Sequence, residues 1–362
     1  MSSRSSNPVT RAIPAAIPER SPTRRSHDFD REIIIKRFIY ALALAAAVGC
    51  GDPAVQPSGI TSPVSSVISA LAPGIPFGST QAPVSALSAS KYDATLTPGT
   101  SANGLSAQLQ AARTGGFRVM VAVPTAASKN ADGTFSLKKW KAAVGVYESV
   151  DSVDAYAAAG VVIGHRLIDE PSCASCWGGQ SISVGTLEQM ARHSKLIWPT
   201  VPTVVRVVPS YFPKAPRYVD AAWAQWAGPR GATLGMTTVQ FRDKNVADAK
   251  ARRLALVIGM NVLNGGDGSS GIAGTREIDD PAGDLWQMTG AEVDSIGRLF
   301  AADPYVCAVL NWRYSLNYPR GGMTLEQYER IRSFDNRPEI IAAMQSVRSV
   351  AAVHAPTTCR TR

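Results

Sequence analysis

The stretch Val161-Val-Ile-Gly-His-Arg-Leu-Ile-Asp-Glu-Pro171 decides how this chain is read. From Val161 to Ile168 it is a nearly continuous apolar run, the form taken by a strand covered on both faces. Pro171 then ends any ladder, because it has no N–H to donate, and leaves Asp169 and Glu170 at the C-terminal end of the strand. Successive strand residues point to opposite faces, so a regular strand brings only one of these two acids to a pocket.

The same kind of run recurs along the chain. Phe117–Pro124, Thr203–Pro209, Ala221–Trp226, Leu254–Val262 and Tyr305–Trp312 read as strands. Helical stretches fall between them at about 101–114, 135–159, 184–198, 243–253, 290–302 and 337–352. Gly115-Gly116 marks a left-handed helix end, and Asp243 reads as an N-cap. A strand near Ser85–Ser90 makes seven, and either Thr237–Phe241 or a segment near Ile75 supplies an eighth. Strands alternating with helices imply parallel pairing through helical crossovers, either a (β/α)8 barrel or an open doubly wound sheet. No Gly-x-Gly-x-x-Gly or Gly-Lys-Ser/Thr turn follows an early strand, so nothing calls for a nucleotide cofactor. Polar and aromatic residues gather at strand C-terminal ends, where barrels carry their chemistry, and the α/β barrel is the expected fold. It spans residues 75–353, with a frayed tail at 354–362.

Composition narrows the setting. The 362 residues are 45% hydrophobic and 18% charged, enough for one large core. Of the formal net charge of +9, residues 1–49 supply +4, and the remainder has no dense basic stripe. Nucleic acid is therefore not an expected partner. Arg31, Lys36 and Arg37 precede an uncharged run from Phe38 to Val48, too short to span a bilayer but suited to a signal peptide. Ala47-Val-Gly-Cys50 resembles the lipobox of bacterial lipoproteins, which implies acylation at Cys50 and a protein held at the cell envelope by that lipid alone. The other readings of this segment are an ordinary signal peptide with an incidental cysteine, or a buried helix. Residues 1–30, rich in Ser, Pro and Arg, are expected to be disordered, and residues 50–74 form a flexible tether.

At Asp169-Glu170-Pro171 the sequence resembles the glycoside hydrolase superfamily of (β/α)8 barrels, several of whose families carry Asn-Glu-Pro or Asp-Glu-Pro after a middle strand. That resemblance implies Glu170 as general acid/base, Asp169 as a positioning residue and a glycan as substrate. Hydrolysis needs a second carboxylate, about 5–5.5 Å away for retention or about 6.5–9.5 Å for inversion. The superfamily takes it from a Glu after the penultimate strand. Here Asn311-Trp-Arg-Tyr314 offers no acid and the preceding strand end reads Asn264-Gly-Gly-Asp267, so Asp267 is the remaining candidate, or else a loop residue satisfied by backbone amides, or a calcium ligand in Asp267-Gly-Ser-Ser-Gly271.

Trp177, Tyr211, Trp226, Trp312 and Tyr314 offer flat faces suited to sugar rings, and His165, Arg206, Gln225, Asn261, Asn264 and Arg313 offer partners for hydroxyls. Packing is the competing role for each aromatic, and a structural hydrogen bond for His165 or Arg166. Cys173-Ala-Ser-Cys176 supplies too few ligands for a structural zinc and reads as a local disulfide, the alternatives being free thiols or a redox-active pair, with no metal expected. Cys307 reads as core and Cys359 as part of the tail. A metal-dependent hydrolase is disfavoured, because two of the four histidines, His27 and His354, fall in terminal segments. Two functions remain: a tethered glycoside hydrolase-like enzyme, or a barrel that binds carbohydrate without chemistry.

Overall fold

The structure is a computed structural model describing residues 69–99, 101–150, 152–228, 233, 235–272, 274, 286–314 and 336–360. The leader, Cys50 and most of the 50–74 tether lie outside the described residues. Eight parallel strands close a barrel in chain order: β1 Phe77–Thr80, β2 Ala94–Pro98, β3 Arg118–Ala122, β4 Val162–Asp169, β5 Thr203–Arg206, β6 Ala221–Trp226, β7 Ala255–Met260 and β8 Val306–Asn311. Closure runs through β8 and β1, with Phe77 opposite Val309 and Gly78 opposite Leu310. Outside stand α1 Ala102–Gly115, α2 Leu137–Gly145, α3 Val153–Ala158, α4 Val184–Ile197, α5 Thr238–Ala251, α6 Gly290–Ala301 and α7 Pro338–Val353. None of the described helices is long and apolar enough to cross a membrane.

The two faces of each strand build two cores. Ala94, Leu96, Met120, Ala122, Val204, Ala221, Trp223, Ala255, Val257, Ala308 and Leu310 pack inside the barrel. Their strand neighbours Phe77, Val119, Val121, Val205, Ala222, Leu256, Ile258 and Val309 pack outward beneath the helices. This is the period-2 division of a barrel whose interior is filled with side chains. Gly259 is required by a close approach: a Cβ there would lie 1.9 Å from the carbonyl oxygen of Leu310.

Several local expectations are corrected. Residues 84–86 form a single 3₁₀ turn, and the second strand lies further on at Ala94–Pro98. Its alternation is masked by threonines: Thr95 is fully buried because its hydroxyl bridges the carbonyls of Ser79 and Ala82, at 3.0 and 2.8 Å. The eighth strand is the one near Ile75. Thr237 instead caps α5, its side chain accepting from Gln240 N while the Gln240 side chain accepts from Thr237 N. That reciprocal capping box starts the helix before Asp243, which pairs with Arg242. The helix expected over 135–159 is two, α2 and α3, separated by turns. Gly116 ends α1 in the left-handed region at φ 71°.

The tail is not frayed, and Cys307 and Cys359 are not free thiols. They form a disulfide, with Cys359 reaching the inner cluster at the strands' N-terminal end. Pro356 to Arg360 form part of the wall of a cavity of about 300 Å³ there. Nearby, the fully buried Asp93 pairs with both Arg118 and Arg348, tying β2 and β3 to α7.

Candidate functional site

The opposite end of the barrel gathers the polar residues, and a bulge in β4 decides which of them point inward. Between β4 and β5, Arg166 faces Val204 but Ile168 faces Val205, so Leu167 is the extra residue. Leu167 and Ile168 both bury in the outer core. The phase is thereby reset, and Asp169 lies on the same side as Arg166, with their side chains 3.1 Å apart. Glu170 then leaves extended geometry altogether, at φ 43°. Its carbonyl oxygen accepts from Cys173 N and from Trp177 Nε1, each at 3.0 Å.

Both carboxylates consequently meet one guanidinium, a correction to the expectation that only one could face the pocket. Arg206 Nη1 lies 2.8 Å from Asp169 Oδ1, and Nη2 lies 2.8 Å from Glu170 Oε1. Burial raises the Asp169 carboxyl, but Arg206 and Arg166 together outweigh it and hold the group below its ordinary range. The Arg206 guanidinium also stands 6.0 Å from the centre of the Trp223 ring.

Alternation carries this inward face around the mouth. Trp223 is in the inner cluster, so Gln225, two residues on, follows it inward on β6. Both amide atoms of Gln225 are buried without a hydrogen-bond partner, as are Trp223 Nε1 and Thr80 Oγ1. Beyond the end of β7, Asn261 bridges to Trp312, and its side-chain oxygen accepts from Asn264 N at 3.0 Å. Trp312 is half-buried, with the Arg313 guanidinium 5.6 Å from its ring. Among the described residues at the strand ends, Asp169 and Glu170 are the carboxylates brought to the mouth; Gln225 lies next to last in β6, and Asn261 and Trp312 lie one residue beyond β7 and β8.

Other sequence candidates sit elsewhere. Asp267 is exposed, accepts from Ser269 N at 2.8 Å, and is held below its ordinary range by bonds from Ser269. It lines a separate rim cavity of about 470 Å³ with Trp226, Met236, Gly265, Glu292 and Ile296. His165 points away from the mouth: its ring stacks on Trp140, meets Trp198 edge-on at 5.1 Å, and pairs with Ser194 Oγ at 2.8 Å. Burial keeps it neutral, with a pKa of about 3. Trp177 is buried edge-on against Phe135, Trp226 against Phe241 and Tyr314 against Tyr92. The Tyr211 hydroxyl donates to the carbonyl of Ile182 at 2.6 Å. These aromatics therefore pack more than they present faces. Cys173 and Cys176 are joined as a disulfide. Thr80 and Trp223 were not sequence candidates, although the parity that places Gln225 inward also marks Trp223.

No protein-family profile and no curated protein matches the chain. The solved structures it is similar to include a xylanase, β-glucuronidases and a β-glucanase. Xylanase 10B from Thermotoga maritima aligns at TM-score 0.43 and 12% identity, over 76% of this chain and 95% of that one. A β-glucuronidase from Lactobacillus rhamnosus aligns at 0.47 and 13%, over 72% of this chain and 44% of its own. A β-glucanase from Saccharophagus degradans, in complex with cellotetraose, aligns at 0.47 and 10%, over 77% and 88%.

Proposed function

We propose that the barrel mouth binds a carbohydrate and holds it without cleaving it. The observation that carries this reading is Gln225, whose amide oxygen and nitrogen are both buried and unpartnered at a barrel end that also holds Arg206, Asp169 and Trp223. An unsatisfied buried polar group costs about 1–3 kcal/mol. A ligand with adjacent hydroxyls answers both atoms, since each hydroxyl donates and accepts. Hydrolysis needs two carboxylates flanking the scissile bond. Among the described residues, Asp169 and Glu170 share one guanidinium on one wall, and the strand ends beyond them offer amides and an indole.

Glycoside hydrolysis is the second reading. It is favoured by Glu170, whose side chain is 52% exposed just beyond the end of β4. Titrating the full-length chain with cello-, xylo- and chito-oligosaccharides while assaying for new reducing ends separates the two. Binding without release, weakened about 5- to 100-fold in Gln225→Met, supports the binding barrel. Release that is lost in Glu170→Gln establishes the hydrolase instead.

The protein is exported and held at the cell envelope through acylated Cys50. Support comes from the cysteines: two disulfides account for four of the five, as an oxidising compartment favours, leaving Cys50 for the lipid. Incorporation of a fatty-acid analogue, lost in Cys50→Ser, tests it; an unlabelled wild-type chain refutes it.

A further inference from the structure

The two disulfides occupy contrasting places. Cys307 and Cys359 are 0% and 3% exposed, joined across most of β8 and α7. Cys173 and Cys176 are half-buried, three residues apart, in the loop that follows Glu170. One carboxylate oxygen of Glu170 and the two sulfurs all lie within 4.8 Å of one another. Neither the carbohydrate reading nor the barrel's stability uses that convergence.

Its geometry suits a metal ion once the sulfurs are separate. Zinc bonds sulfur at about 2.3 Å and carboxylate oxygen at about 2.0–2.2 Å, so a tetrahedral site holds its donors roughly 3.5–3.8 Å apart. The Cα atoms of the two cysteines are 5.2 Å apart, and a change of side-chain rotamer brings the sulfurs to that spacing. Two thiolates and one carboxylate select a thiophilic cation over magnesium or calcium. Three protein ligands leave a fourth position open.

The surroundings hold these donors in place. Cys176 N donates to Cys173 Sγ at 3.2 Å, an N–H already aimed at the atom that becomes a thiolate. Lys129 Nζ donates to the Cys176 carbonyl at 2.7 Å. Glu170 is fixed through its carbonyl oxygen by Cys173 N and Trp177 Nε1, and Arg206 orients its carboxylate.

We propose that in the dithiol state Cys173, Cys176 and Glu170 bind one divalent cation of the zinc class at the rim of the barrel mouth. A dithiol reductant supplies the two electrons and two protons that convert the disulfide into two thiols, and itself becomes a disulfide. The cation then displaces both thiol protons to solvent as two metal–sulfur bonds form. The site stands independently of what the mouth binds.

Cobalt(II) is the probe, added without oxygen to the full-length chain after phosphine reduction and desalting. The expected result is one cobalt per chain, with a sulfur-to-cobalt charge-transfer band and intense visible bands of a tetrahedral site, all reversed by stoichiometric zinc. The oxidised chain shows neither band. The double variant Cys173→Ser/Cys176→Ser loses the signal although Cys307 and Cys359 remain. Glu170→Gln keeps the charge-transfer band but binds at least about tenfold more weakly. Circular dichroism confirms that the variants fold, and alkylating Cys173 and Cys176 in the wild-type chain must reproduce the loss without any substitution. Absence of the band in the reduced wild type overturns the proposal, as does a band that survives the double variant or an affinity unchanged in Glu170→Gln.

Discussion

Replacing Arg206 by methionine removes the guanidinium that joins Asp169 to Glu170 while keeping an unbranched side chain over Trp223. Arg206 is 8% exposed, and breaking a buried pair by removing one partner costs about 3–5 kcal/mol. Asp169 retains Arg166 at 3.1 Å and is itself 27% exposed, which lowers its share to about 2 kcal/mol. The Glu170 pair is half-exposed and adds at most about 1 kcal/mol. A loss of about 2–3 kcal/mol lowers the melting temperature of a barrel this size by roughly 5–10 °C. Chemical denaturation of wild type, Arg206→Met, Asp169→Asn and the double variant should give a coupling of about 1–2 kcal/mol. The pH dependence has a defined sign. Because the folded Asp169 carboxyl lies below its ordinary value, its stabilisation is present above the unfolded value and fades as pH falls through the folded one. The difference between wild type and Arg206→Met should hold steady above about pH 5 and shrink below about pH 4. A difference under about 0.5 kcal/mol at neutral pH, additivity with Asp169→Asn, or a gap that widens on acidification would refute the reasoning.

Other perturbations reach different parts of the fold. The folded His165 titrates at about 3, well below its ordinary value, so the unfolded chain binds the extra proton between those values and stability declines as pH drops. Urea midpoints from pH 6 to 4.5 should show His165→Phe with a shallower decline, by up to about 1.4 kcal/mol per pH unit; parallel slopes contradict it. Removing the Cys307–Cys359 link by paired serine substitutions opens a loop of about fifty residues, for an expected loss of about 4 kcal/mol and earlier protease cleavage of the tail. Gly259→Ala drives a methyl group into the Leu310 carbonyl and should cost about 3 kcal/mol by thermal melt. Thr237→Ala removes the capping box of α5, a loss of about 1 kcal/mol by the same measurement.

Legibility followed the length scale of the interactions. Four of the six strands read from apolar runs bury every residue, β6 all but Gln225 and β4 all but Ile163 and Asp169, which is why their sequences are mostly apolar. β2 was misplaced, and β1 was read only as one of two options for the eighth strand, because Ser79, Thr80, Thr95 and Thr97 are buried as polar residues. Thr95 and Ser79 satisfy neighbouring carbonyls, an arrangement invisible without the adjacent strand and loop. In the site, Glu170, Asp169 and Arg206 were visible as strand-end polar residues, but their common ion pair was not. One extra residue at Leu167 inverts the parity on which the prediction rested.

The sequence by itself determined the alternation of strand and helix, the glycine end of α1, the acid-rich end of β4 and the close Cys173–Cys176 pairing. Each depends on residues within a few positions of one another, where periodicity and covalent reach suffice. Tertiary structure alone decided that Asp169 lies opposite Arg206, that Gln225 turns a bare amide into the mouth, and that Cys359 returns to Cys307. Those outcomes depend on strand register and barrel closure, which bring distant residues together by summed packing over the whole ring and leave no local mark in the chain.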